Sequence, residues 1–90
     1  MARSYMTQQV TDFIVNLLEK KRALPNNINV NAYRYIDAGH IDSMATIKFI
    51  FELEEAFDIS ISEVDMMSDD FRSVGGLSRL IEEKIAAKVV

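Results

Sequence analysis

The segment "DAGHIDS", residues 37–43, brings Asp37, His40, Asp42 and Ser43 close together in the chain. A serine near a histidine and a carboxylate has the composition of a hydrolytic nucleophile, its base and the group that orients the base. Against that reading, His40 is the only histidine and falls in a loop, and no strand–turn–helix elbow or oxyanion hole surrounds Ser43. The Asp-Ser pair also has a purely structural use, because both side chains accept hydrogen bonds from the free backbone N–H groups that open a helix. A third chemistry makes Ser43 an attachment point. A phosphodiester on the first residue of a helix faces free N–H groups and the positive end of the dipole, and a modifying enzyme can reach such a tip. No metal site is expected. The chain has no cysteine, and Asp65, Asp69 and Asp70 do not have the spacing of a calcium loop.

Four helices must position these groups. Met6, Val10, Phe13, Ile14, Leu17 and Leu18 recur at helical spacing, predicting a first helix from Ser4 or Thr7 to Arg22, stopped by Pro25 and Asn26-Asn27. Residues 23–42 read as a long crossing loop pinned by Ile28, Val30, Tyr33, Tyr35 and Ile36, with Gly39 turning the chain. The second helix is predicted over Ser43–Phe57. A short third helix is expected near residues 61–67, with Ser60 and Glu63 at capping-box spacing. The last helix is expected over Val74–Lys88, capped by Ser73, with Leu77, Leu80, Ile81 and Ile85 inward and Gly75-Gly76 weakening its first turn.

The second helix carries two apolar stripes. At about 100° per residue, Thr46, Phe49, Ile50, Leu53 and Phe57 share one sector and form the expected core face. Met44, Ile47 and Phe51 cluster elsewhere, among Lys48, Glu52, Glu54 and Glu55. A solvated face has no use for three large apolar side chains, so this stripe is read as a small docking patch rimmed with acid. Lys48 is placed to pair with Glu52 or Glu55.

Ninety residues allow one domain, 1–90, with a modest core. The formal charge of −4 is unevenly spread: residues 37–70 hold ten acidic residues against Lys48 alone, a net of −9. Such a block repels nucleic acid and favours protein partners with basic patches. No apolar run is long enough to span a membrane, and the N-terminus lacks the apolar centre of a secretion signal. A cytoplasmic monomer is expected.

"IDSMATIKFIFELEEAFDISI" resembles the second helix of acyl carrier proteins and related aminoacyl and peptidyl carrier domains. In that family an Asp-Ser-Leu or Asp-Ser-Met step opens the helix and a Glu-Glu-x-Phe ending closes it, matched here by Glu54-Glu55-Ala56-Phe57. The likeness covers nearly the whole chain. It implies an all-α four-helix bundle with a long first loop and a short third helix. It also implies 4′-phosphopantetheine on Ser43, carrying acyl or aminoacyl groups as thioesters for fatty-acid, polyketide or related lipid synthesis. The protein would be a shuttle, not a catalyst. Asp42, Met44, Ile47, Phe51, Glu52 and Glu55 would meet a phosphopantetheinyl transferase, a loading ligase and acyl-processing enzymes. Ala45 and Lys48 stand where fatty-acid carriers usually have acidic residues, and "AGHIDSM" has one more residue between glycine and aspartate than their usual approach. That approach looks closer to stand-alone aminoacyl carriers, such as the D-alanyl type, or to dedicated secondary-metabolism carriers. The rival from another class is an unmodified adaptor that binds proteins through the second helix.

Overall fold

The hydrophobic spacing of the chain is realised as a helical bundle, with no strand among the described residues. The computed structural model describes the backbone of residues 2–88 and the side chains of residues 8–88, so the expectation for Met6 lies outside it. Helix α1 spans Ala2–Lys21, α2 Ser43–Phe57, α3 Glu63–Met67 and α4 Val74–Lys88. Val10, Ile14, Leu17 and Leu18 bury one face of α1. Val74, Leu77 and Ile81 do the same for α4, and the two helices pack together. A hydroxyl pair, Thr11 Oγ1 to Ser78 Oγ at 2.9 Å, satisfies the polar groups at this contact. The core face of α2 is Phe49, Ile50 and Leu53. Phe57, expected to be buried, is only partly so, because it sits at the helix end against the edge of the Phe13 ring, 5.2 Å between centroids.

The long loop is more ordered than its sequence implies. Val30–Ala32 form a 3-10 turn whose start is capped by the Asn29 side chain. The Tyr33 carbonyl accepts the Val74 N–H at 3.1 Å, tying the loop to the start of α4. Tyr35 is fully buried, stacks edge-on against Phe49 and Phe71, and donates its hydroxyl to the Phe71 carbonyl. Burial pushes its phenol well above its ordinary range. Val30, Tyr33 and Ile36 pack on the core as partly buried side chains, and Ile28 is half-buried. Gly39 closes the loop with φ +70°, a conformation that favours glycine.

A second 3-10 turn, Asp69–Arg72, links α3 to α4. Ser73 caps α4, its hydroxyl accepting the Gly76 N–H at 3.1 Å. The two glycines that weaken this first turn also permit close packing. A β-carbon at Gly75 would lie 2.8 Å from the Asn31 carbonyl oxygen, and one at Gly76 would overlap Asp70 backbone. The cap of α3 differs from expectation. It is Ser62 with Asp65, each side chain accepting the other's backbone N–H, and not Ser60 with Glu63. Ile61 decides this, because it is buried and its N–H goes to Glu54 Oε2 at 2.8 Å, keeping residues 59–61 out of the helix. Glu54 is thereby a structural residue instead of part of an acidic rim. At the far end of α2, Lys88 donates to the Phe57 and Asp58 carbonyls at 2.9 and 2.7 Å.

Candidate functional site

Asp42 is the N-cap of α2. Its backbone is extended, and its Oδ1 accepts the Ala45 N–H at 2.8 Å. Its carbonyl takes the Thr46 N–H at 2.9 Å and hydroxyl at 2.7 Å. Ser43 is thus the first helical residue. It is exposed, and its hydroxyl has no partner among the described residues. The amides of Ser43 and Met44 also have none, since Asp42 satisfies those that follow. An exposed free hydroxyl beside two free N–H groups at the positive end of a helix suits a covalently attached phosphodiester.

The hydrolase constellation is not assembled. His40 is buried, with Nε2 donating to the Leu18 and Arg22 carbonyls at 2.9 and 3.0 Å. Its Nδ1 is 2.8 Å from the Tyr33 hydroxyl, so both ring nitrogens are taken up in fastening the loop to the end of α1. Asp37 is engaged with Arg34 at 2.6 Å and Arg72 at 2.8 Å, and Asp42 with the helix amide. Among the described residues, no group of histidines and carboxylates could hold a metal ion.

Beside Ser43 opens a pocket of about 290 Å³, lined by Ile36, Thr46, Ile47, Met66, Phe71 and Arg72. Of these, Arg72 ends a chain of ion pairs, Asp69–Arg34–Asp37–Arg72, joining the loop to the second 3-10 turn. The Arg34 guanidinium, with Arg72 after it, holds the Asp37 carboxyl below the usual carboxylate range, and Arg34 does the same for Asp69. Those carboxylates, Asp69 first, push Arg34 up.

The second stripe of α2 lies outside the core: Met44 is 80% exposed, Ile47 54% and Phe51 64%. Glu52 is half-buried and Glu55 exposed, and both line an open cleft between α1 and α2 with Phe13 and Lys20. Lys48 pairs with neither glutamate. Sequence reading missed the α3 contribution, where Val64 and Met67 are also exposed. It missed Arg72, Ile36, Met66 and Phe71 as neighbours of Ser43 as well. Five helical residues are too few to show a face, and the pocket's other walls come from distant positions.

Residues 14–81 match the protein-family model described as "Phosphopantetheine attachment site". The chain is 30% identical over 81 residues to Acyl carrier protein 3, chloroplastic, of Cuphea lanceolata, covering 90% of this chain and 55% of that protein. It is 25% identical over 88 residues to Acyl carrier protein 1, chloroplastic, of Hordeum vulgare, covering 98% and 58%. A shorter stretch of 48 residues is 38% identical to the D-alanyl carrier protein of Lactococcus lactis subsp. cremoris, covering 53% and 61%. The chain therefore spans less than two thirds of the length of each of these relatives. The group attached covalently in this family is 4′-phosphopantetheine. The chain belongs to the phosphopantetheine-attachment family of carrier proteins, which hold a cargo and do not transform it.

Proposed function

We propose that Ser43 bears the 4′-phosphopantetheine arm and that the protein presents acyl or aminoacyl groups to partner enzymes as thioesters. The observation that carries this reading is the free, exposed Ser43 hydroxyl on the first residue of α2, inside the matched segment. In the modification, Ser43 Oγ forms the new P–O bond as the pyrophosphate of coenzyme A breaks. The nucleotide half leaves with the bridging oxygen, and the hydroxyl proton passes to the transferase or solvent. When attached, the arm supplies the thiol that this cysteine-free chain lacks. Asp42 holds the helix start open for it, and Met44, Ile47 and Phe51 form the apolar contact for the transferase, loading ligase and acyl-processing enzymes, with Glu52 and Glu55 steering basic patches. Fatty-acid, polyketide or related lipid synthesis in the cytoplasm is the setting proposed. No helix among the described residues is long and apolar enough to cross a membrane.

The test is intact mass after incubation with coenzyme A and a broad-specificity phosphopantetheinyl transferase. A gain of one phosphopantetheine unit, absent in Ser43→Ala, is expected; no gain favours the unmodified adaptor. A second reading, an aminoacyl cargo, is favoured by the stretch similar to a D-alanyl carrier protein and by the "AGHIDSM" approach to Ser43. Transfer of D-alanine but not of a fatty acid by the respective ligases would select it.

A further inference from the structure

We propose that Arg72 is the chain's own cationic partner for the phosphodiester on Ser43, which it takes in exchange for Asp37. The inference rests on Ser43 being the attachment point. Ser43 and Arg72 line the same open pocket, and Arg72 is the only cation among its lining residues. The residue before Ser43, Asp42, is acidic, so a new negative charge there is repelled by it and drawn toward Arg72. The two unesterified oxygens of a phosphodiester match the paired N–H donors of a guanidinium.

The exchange leaves no charge stranded. Arg72 now gives both Nε and Nη2 to one oxygen of Asp37, at 3.2 and 2.8 Å. The other Asp37 oxygen is held by Arg34 Nε at 2.6 Å, so Asp37 keeps a cation when Arg72 departs. Arg34 in turn is shared with Asp69 at 2.9 Å. The side chains in this chain of pairs are 41–82% exposed, so water already weakens each pair. The phosphodiester brings its own charge to the pocket that Arg72 lines. Its effect is to fix the root of the arm toward the Phe71 and Met66 side of Ser43, over the pocket, in place of free rotation about the serine oxygen.

Nuclear magnetic resonance of the whole chain before and after modification tests this. The Arg72 Nε–Hε resonance should move on modification, and by more than that of Arg34, which keeps its bond to Asp37. The ³¹P resonance of modified wild type should differ from that of modified Arg72→Gln, with Arg72→Lys restoring part of the shift. Asp37→Asn, which frees Arg72 without removing it, should keep the wild-type ³¹P position. Intact mass separates the two claims. A protein that gains no mass at Ser43 removes both, whereas a modified protein with an unmoved Arg72 resonance, or with ³¹P shifts indifferent to Arg72→Gln, overturns this one alone. The wild-type comparison needs no variant, so a poorly folded Arg72→Gln would not blunt the test.

Discussion

Lys84 Nζ lies 2.7 Å from Asp65 Oδ2, the same oxygen that accepts the Ser62 N–H at 2.8 Å, so one carboxylate joins α4 to the cap of α3. Burial alone would raise this carboxyl. The Lys84 ammonium, with the Ser62 amide and hydroxyl, outweighs burial and holds it below the ordinary 3.8. Because the folded value is the lower one, the stabilisation is complete above the unfolded range and is lost as pH falls below it. Asp65→Asn is expected to cost roughly 0.5–2 kcal/mol near neutral pH. Its gap from wild type should close as acid titrates the wild-type carboxylate, which denaturation curves across a pH series will show.

Leu53 is wholly buried and Phe51 is not, although they are two residues apart on α2. Leu53→Ala should cost about 2–5 kcal/mol by leaving a cavity. Phe51→Ala should stay within about 0.5 kcal/mol. Equal losses in urea denaturation would mean that the two faces of α2 are assigned the wrong way round.

Gly76→Ala should destabilise by roughly 1–3 kcal/mol, since the β-carbon would press on Asp70 backbone, which has no rotamer to escape into. Gly39→Ala meets no atom and is opposed only by its positive φ, at about 1 kcal/mol. Thermal melts of the two variants distinguish a steric cost from a conformational one.

Glu55 and Phe51 should fail differently in partner encounters. Charge steering is screened over about 8–10 Å at ordinary ionic strength, while an apolar anchor acts mainly on dissociation. Glu55→Lys should slow modification most at low salt, and Phe51→Ala at every salt concentration. Rates across a salt series check this, and parallel salt dependence in both variants would end the division of labour. Among the described residues Lys48 makes no ion pair, so it does not tie up the Glu55 carboxylate.

Much of this was legible in the chain because it is local. The bounds of α2 follow from Asp42 at one end and the Glu-Glu-x-Phe ending at the other, where Asp58 adopts a left-handed cap. The free position of Ser43 is equally local, since it depends on its neighbour taking the capping bond. The α3 cap was misplaced because "SISEVD" holds two overlapping Ser-x-x-acid patterns, and only the burial of Ile61 chooses between them. The 3-10 turns and the wall of the Ser43 pocket were hidden for the same kind of reason. They are held by Tyr33, Tyr35 and Asp37 reaching Val74, Phe71 and Arg72, and helical periodicity carries no information about contacts between such distant residues.

The Thr11–Ser78 hydroxyl pair has a bearing on how the protein comes into being. Its partners are 67 positions apart, and the apolar faces beside them, Val10 and Ile14 on one helix and Leu77 and Ile81 on the other, depend on the same meeting. During synthesis the side of the first helix that meets α4 waits for a partner made 67 residues later. A nascent chain halted before Ser78 can already lean Phe57 and the loop against α1, but it lacks the face of α4 that packs there.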